Sequence, residues 1–119
     1  MAKILLIEDN EQNLYLVTFI LQRNGHEIIQ ARNGETGIAL AAEALPDLIL
    51  LDIQLPGMDG YTVAEELRKN QQIASIPIIA VTSYAMTGDR ERILETGCTS
   101  YIEKPINPDT FYSEVIQFL

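Results

Sequence analysis

Polar residues follow four short apolar runs of this chain, and their side chains could act together on a phosphoryl group. The first run ends in Glu8 and Asp9, the second in Asp52, the third in Thr82 and the fourth in Lys104. Proteins bind Mg²⁺ through one or two carboxylates together with waters and phosphate oxygens. A hydroxyl and an ammonium group beside such acids indicate that a phosphoryl group lies there too. These residue types therefore predict magnesium-assisted phosphoryl chemistry.

The periodicity of the chain predicts five strands that alternate with five helices. The predicted strands cover 4–7, 27–31, 48–51, 78–81 and 100–103. The first predicted helix ends at Asn24-Gly25, and the second opens after Asn33. The third runs through 61–67, the fourth spans 87–96, and the fifth starts at Asn107-Pro108. Right-handed crossovers leave few arrangements of such a (βα)5 chain. We expect one α/β domain over residues 1–119, with a doubly wound, five-stranded parallel sheet in the order 2-1-3-4-5.

That strand order places the polar residues at one edge of the sheet. Ligands of open parallel sheets bind outside the carboxyl ends of the strands, where the strand order reverses. Asp9 and Asp52 would face the same crevice, Thr82 would lie on the neighbouring strand, and Lys104 would enter from the far side. A metal ion there would offset the repulsion between the acids and neutralise phosphoryl oxygens. Asp52 is then placed to act as a carboxylate nucleophile that forms an aspartyl-phosphate.

Composition excludes several classes of protein. A length of 119 residues and a hydrophobic content of 47% are typical of a globular protein. The net charge of −9 argues against direct nucleic-acid binding. Its apolar runs are too short to span a membrane, and no signal-peptide pattern is present, so we expect a cytoplasmic protein without membrane partners. Cys98 is the single cysteine, which excludes an intramolecular disulfide, and we expect it to be a buried, inert thiol.

Five motifs, in order and at matching spacing, resemble those of bacterial response-regulator receiver domains. They are Glu8-Asp9-Asn10, Leu50-Leu51-Asp52, the stretch from Leu55 to Gly60, Val81-Thr82-Ser83, and the stretch from Tyr101 to Pro105. The resemblance extends from Lys3 to Leu119. Residues 85–89 together with Gly97-Cys98 are most similar to receivers of the single-domain cell-cycle regulator type.

The resemblance implies a phosphorylation-controlled switch of two-component signalling. Asp52 would accept a phosphoryl group from the phosphohistidine of a sensor histidine kinase or a histidine phosphotransfer protein, with Lys104 as a point charge. Asp9 and Asp52 would bind Mg²⁺ directly, the backbone carbonyl of Gln54 would be a third ligand, and Glu8 would act mostly through water. Chemistry would be limited to phosphorylation of the chain itself and slow autodephosphorylation.

The resemblance also implies how the signal leaves the site. The Thr82 hydroxyl would move to the phosphoryl group, and Tyr101 would turn inward into the space vacated. The surface of the fourth helix, fifth strand and fifth helix would then bind a downstream protein, in a monomer or a phosphorylation-dependent dimer. The bond before Pro105 is expected to be cis, and Gln54 and Tyr84 occupy positions that tune the lifetime of the phosphoryl group.

Other interpretations stay open for single residues and for the whole chain. Glu8 could be a solvated surface acid, and Thr82 an ordinary β-branched strand residue. The alternative function is a phosphatase that uses the same acids and Mg²⁺ on a small molecule, although such enzymes need a lid for which the short loops leave no room. A flavin-binding domain on a similar fold is disfavoured because acids around the crevice would repel the flavin phosphate.

Overall fold

Five strands alternate with five helices in the part of the chain that the structure, a computed structural model, describes: residues 1–83 and 87–119. The strands are β1 (Lys3–Ile7), β2 (Glu27–Ala31), β3 (Leu48–Asp52), β4 (Ile78–Thr82) and β5 (Ser100–Glu103). The helices are α1 (Glu11–Arg23), α2 (Gly34–Ala44), α3 (Gly60–Lys69), α4 (Thr87–Glu95) and α5 (Phe111–Ile116). None of these helices is long and apolar enough to cross a membrane. The predicted alternation is confirmed.

The strands form one parallel sheet in the order β2-β1-β3-β4-β5, as predicted. All residues of β3 and β4 are buried, because helices cover both faces of a doubly wound sheet. The register places Ile7 beside Leu51 and Asp52 beside Val81. The last residues of β1, β3 and β4 therefore lie side by side at the carboxyl end of the sheet.

Alternate residues of each strand enter two separate cores. Leu5 and Ile7 pack with α2, α3 and α4 on one face, whereas Ile4 and Leu6 pack with α1 and α5 on the other. Helix α2 lies so close to β1 that a Cβ atom on Gly37 would come within 2.5 Å of the Ile7 side chain. Both faces are thus filled with apolar side chains, and polar chemistry is confined to the ends of the strands.

Polar caps begin the three helices that follow β1, β2 and β3. The side chains of Asn10, Asn33 and Asp59 each accept a hydrogen bond from the backbone N–H three residues further on, which satisfies a donor that the helix leaves unpaired. Asn10 comes directly after the acidic pair Glu8 and Asp9. The start of α1 therefore fixes the backbone immediately beside those acids.

Helix α5 begins three residues later than the predicted start at Asn107-Pro108. The Asn107 side chain accepts a hydrogen bond from the Asp109 N–H at 2.9 Å, and its carbonyl accepts from the N–H groups of Thr110 and Phe111 at 3.2 and 2.9 Å. The cap chemistry is real, but it closes a tight turn over residues 108–110 before the regular helix starts at Phe111. Propensity alone does not separate such a turn from the first turn of a helix.

Cys98 lies in the core between α4 and β5, with 5% of its surface exposed. Burial raises the pKa of its thiol to about 11, because the apolar surroundings disfavour the thiolate. The thiol is therefore protonated at neutral pH, in agreement with the prediction of an inert cysteine.

Candidate functional site

The carboxyl end of the sheet brings three acids and a lysine together. Oxygen atoms of Glu8, Asp9 and Asp52 lie within 4.8 Å of one another. The Lys104 Nζ lies 3.1 Å from Asp52 Oδ1 and 3.6 Å from Glu8 Oε1. Thr82 is fully buried on β4, one residue beyond the position that pairs with Asp52. The structure thus collects in one place the residues that the sequence analysis assigned to one site.

Asp52 is held in a fixed orientation at the end of β3. Its side chain is only 2% exposed, and its Oδ1 accepts a hydrogen bond from the Gln54 N–H at 2.9 Å while it faces the Lys104 ammonium. Hydrogen bonds to a charged partner are roughly twice as strong as neutral ones. One hydrogen bond and one ion pair to the same oxygen therefore restrain the carboxylate of Asp52 at the floor of the site.

Glu8 is buried rather than solvated, so the interpretation of Glu8 as a surface acid is wrong. Its exposed fraction is 2%, and its pKa is raised from 4.5 to about 7. Burial is the largest cause, followed by the hydrogen bond and the negative charge of Asp52. Lys104 and the N–H of Asn10, which donates to Glu8 Oε2 at 3.2 Å, act in the opposite direction. The site therefore favours a bound proton or cation beside Glu8.

The Gln54 side chain makes a contact that the sequence analysis missed. Its Oε1 accepts hydrogen bonds from the Ser83 N–H at 3.2 Å and from the Ser83 hydroxyl at 2.8 Å. The sequence analysis considered only the Gln54 backbone carbonyl and its position in the motif, because no spacing rule relates two loop residues 29 positions apart. Tyr84, the other residue expected to tune the phosphoryl lifetime, lies outside the described residues.

Gly60 allows the start of α3 to approach the backbone of the site closely. A Cβ atom at this position would come within 2.4 Å of the Ile53 Cα and 2.7 Å of the Asp52 carbonyl oxygen. The Gly60 N–H also donates to the Ile53 carbonyl at 3.0 Å. Helix α3 therefore begins directly against the backbone of Asp52, which only glycine allows. A glycine directly before the predicted third helix was the available signal.

Tyr101, the predicted partner of Thr82, lies half-buried on β5 beneath a side chain of α4. The Arg90 guanidinium carbon is 5.5 Å from the centre of the Tyr101 ring, a cation–π distance, and Arg90 also pairs with Glu103 at 3.5 Å. The Lys104–Pro105 peptide bond is cis, as expected. Tyr101 is thus placed at the junction between α4 and β5.

The donor set of the site suits a hard divalent cation and a phosphoryl group. Glu8, Asp9 and Asp52 offer only oxygen ligands, which Mg²⁺ and Ca²⁺ prefer over softer donors. Asp9 is exposed, so the cluster is open to solvent on one side. The Lys104 ammonium beside the acids can stabilise the negative charge of a phosphoryl oxygen.

Comparisons with known proteins agree with this geometry. Residues 4–116 match the family model described as the response regulator receiver domain. The polar-differentiation response regulator DivK of Brucella anthropi is 43% identical over 116 residues, which cover 98% of this chain and 94% of that protein. The same regulator of Brucella ovis is 42% identical with the same coverage.

Solved structures show the same fold. The chemotaxis response regulator CheY4 of Vibrio cholerae superposes with a TM-score of 0.95 at 28% identity, covering 100% of this chain and 99% of that one. A receiver domain of a Pseudomonas aeruginosa sensor histidine kinase, with a magnesium ion coordinated in its active-site cleft, gives a TM-score of 0.90 at 32% identity over 98% and 96% of the two chains. This chain belongs to the response regulator receiver domains of two-component signalling.

Proposed function

We propose that this chain is a signalling switch that is phosphorylated on Asp52. The observation that carries the proposal is the Asp52 carboxylate itself, which is buried at the end of β3 with the Lys104 ammonium 3.1 Å away and two further acids beside it. A buried acid far from other acids would be protonated or would pair with one cation. Asp52 instead lies beside both a positively charged group and negatively charged groups. That arrangement suits an acid that accepts an incoming phosphoryl group.

Mg²⁺ is the cofactor that the residues fit. Asp9 and Asp52 would bind the ion through side-chain oxygens and Gln54 through its backbone carbonyl, with Glu8 acting mostly through water. The closeness of the Glu8, Asp9 and Asp52 oxygens, which lie within 4.8 Å of one another, supports this assignment, because a divalent cation would offset the repulsion between these acids. When bound, the ion neutralises phosphoryl oxygens during in-line displacement.

The protein groups would divide the phosphoryl transfer between them. An Asp52 oxygen forms a new bond to phosphorus while the phosphorus–nitrogen bond of a phosphohistidine breaks, and the histidine leaves with the electron pair. Lys104 stabilises charge on a phosphoryl oxygen, and the Gln54 N–H keeps the carboxylate oriented. The chain would catalyse only its own phosphorylation and its own slow dephosphorylation.

Thr82 and Tyr101 would convert the new charge into a changed surface. The Thr82 hydroxyl would move to the phosphoryl group and Tyr101 would turn inward, which would alter the surface of α4, β5 and α5. The half-buried position of Tyr101 beneath Arg90 supports this proposal, because a movement of that β5 side chain would directly change its contact with α4. A downstream protein would bind the altered surface, in a monomer or a phosphorylation-dependent dimer.

The upstream partner would be a sensor histidine kinase or a histidine phosphotransfer protein. Support comes from the matched family and from the regulators named DivK, which have similar length. We further propose that the receiver domain extends over all of residues 1–119.

The experiment is intact mass spectrometry after incubation with acetyl phosphate, with Mg²⁺ or with EDTA. We expect wild type to gain one base-labile phosphoryl group only with Mg²⁺, and Asp52→Asn to gain none. Asp109→Asn is the matched control, because Asp109 is an exposed acid before α5 and its variant should be labelled like wild type. Folded wild type without label would contradict the proposal, and steady acetyl phosphate hydrolysis without any labelled protein would favour a small-molecule phosphatase.

A further inference from the structure

Gln54 links the two loops that border the site. Its backbone N–H donates to Asp52 Oδ1 at 2.9 Å, and its side-chain Oε1 accepts from the Ser83 N–H at 3.2 Å and the Ser83 hydroxyl at 2.8 Å. Ser83 directly follows Thr82 in the chain. One residue therefore contacts both the proposed phosphoryl acceptor and the neighbour of the proposed switch residue.

We propose that Gln54 is a positioning residue whose side chain holds the end of β4 in its unphosphorylated arrangement. The inference rests on the proposed function. A phosphoryl group on Asp52 would draw the Thr82 hydroxyl toward it, and a shift of the Thr82 backbone would change the positions of the Ser83 N–H and hydroxyl relative to Gln54 Oε1. On this proposal, both hydrogen bonds lengthen or break in the phosphorylated arrangement. The Gln54–Ser83 contact therefore lowers the population of the active arrangement in the absence of phosphate.

Exposure distinguishes this role from a purely structural one. Ser83 is exposed and Gln54 is half-buried, so water can replace either hydrogen bond when the contact opens. Loss of the contact should therefore lower the free energy of unfolding by no more than the amount by which it releases the active arrangement, which is the range of one net hydrogen bond. A two-state element of this kind shifts an equilibrium without being needed for the fold.

The first test uses the metal-free protein and requires no phosphoryl group. Gln54→Met keeps the length of the side chain but removes the acceptor, so the Ser83 amide proton should exchange with solvent severalfold faster, as measured by nuclear magnetic resonance. Gln72→Met, in the exposed loop after α3, is the matched control and should leave this rate unchanged. Equal Ser83 exchange in wild type and Gln54→Met would overturn the proposal.

The second test is a titration with beryllofluoride in the presence of Mg²⁺, with binding followed by the Thr82 and Tyr101 resonances. We expect Gln54→Met to bind about threefold to tenfold more tightly than wild type, which is the range for one net hydrogen bond. Ser83→Ala keeps the amide donor and should give a smaller effect of the same sign. Ser83→Ala should add nothing in the Gln54→Met background, because the hydroxyl acts through Gln54.

The outcomes separate this inference from the proposed function. If wild type binds beryllofluoride and Gln54→Met binds equally or more weakly, the restraining role of Gln54 is overturned while the proposed function stands. If Ser83→Ala still strengthens binding in the Gln54→Met background, the hydroxyl acts elsewhere and the inference also fails. If folded wild type does not bind beryllofluoride with Mg²⁺, the proposed function fails, and the inference with it.

Discussion

The two ends of the sheet each hold a partly buried cation, but the partners are of opposite kinds. At the amino ends of β4 and β5, Arg68 Nε donates to the Gly97 carbonyl at 2.8 Å. Its Nη1 donates to the carbonyls of Ile73 and Ile76 at 3.0 and 2.7 Å. At the carboxyl end, Lys104 faces carboxylates instead. Arg68 donates to neutral backbone groups, whereas Lys104 lies among more negative charges than it can neutralise.

The difference explains which end serves the fold and which end can serve chemistry. Arg68 joins the segment after α3 to the segment before β5, and its carbonyl partners need a donor but carry no net charge. The acids near Lys104 carry more negative charge than the Lys104 ammonium group neutralises. Sites that must bind a ligand commonly retain such unfavourable charge at a cost in stability. Substitutions at the two ends should therefore affect stability with opposite signs.

Arg68→Met should have the largest effect on stability. It leaves several backbone carbonyls of two loops without their donor, so we expect a loss of about 3 kcal/mol in the free energy of unfolding, measured by urea denaturation. Beryllofluoride binding at the other end should be unchanged in the folded protein. Arg23→Met, in the exposed last turn of α1, is the control and should cost less than about 0.5 kcal/mol. A loss below about 1 kcal/mol in Arg68→Met would remove the structural half of the comparison.

Glu8 should make the carboxyl end less stable as the pH rises in metal-free protein. The folded pKa of Glu8 is about 7 and its ordinary value is 4.5, so the folded state binds the extra proton between these values. The stability from Glu8 is present below pH 4.5 and is lost as the pH rises to 7, by at most about 3 kcal/mol.

The measurement for Glu8 is urea denaturation in EDTA from pH 4.5 to 8, with wild type compared to Glu8→Gln. The difference between the two proteins should change across this interval and level off about one pH unit above the folded pKa of about 7. Glu43→Gln, at an exposed position of α2, should run parallel to wild type throughout. Parallel curves for Glu8→Gln would show that the buried carboxyl of Glu8 does not titrate as its surroundings indicate.

Asp52→Asn should abolish phosphorylation and leave the free energy of unfolding equal to or greater than that of wild type. Asparagine keeps an oxygen to accept from the Gln54 N–H, and it removes the negative charge that faces Glu8. We expect a gain of about 1 kcal/mol at pH 8 and a fall in the pKa of Glu8 from about 7, followed by carbon-detected nuclear magnetic resonance. An unchanged Glu8 pKa would mean that burial alone raises it.

The sequence predicted the carboxyl end of the sheet far better than the amino end. Strand ends are local features, and the parallel order alone brings Asp9, Asp52 and Lys104 to one edge, so their meeting could be foreseen. The burial of Glu8 could not, because its exposure depends on how neighbouring loops close over it. The contact of Gln54 with Ser83 likewise depends on two loop conformations that no periodicity encodes.

Arg68 shows the same limit at the other end. Gly97 follows the helix predicted over 87–96, and its φ of +108° is the left-handed conformation in which glycine commonly ends a helix. No sequence pattern indicates that a Cβ atom at Gly97 would also lie 2.5 Å from the Arg68 side chain. A glycine can both end a helix and leave room for a side chain that is distant in sequence. Only the first of these roles can be predicted from the sequence. Contacts between loops are therefore the part of the fold that must be observed.

The smallest expected effect tests the amino end at a second point, where His26 joins α5 to the start of β1. His26 Nδ1 accepts from the Ala2 N–H at 3.0 Å, so the neutral ring carries its proton on Nε2 and donates to the Tyr112 hydroxyl at 2.8 Å. Burial and the charged amino terminus lower the pKa of His26 from 6.5. The unfolded chain therefore binds a proton first, and stability from this contact is present above pH 6.5 and is lost as the pH falls below it.

Tyr112→Phe should cost about 1 kcal/mol at pH 7.5 in urea denaturation and leave beryllofluoride binding unchanged. If Tyr112→Phe instead altered that binding, the two ends of the sheet would be coupled through α5, and their division into structural and chemical halves would be wrong.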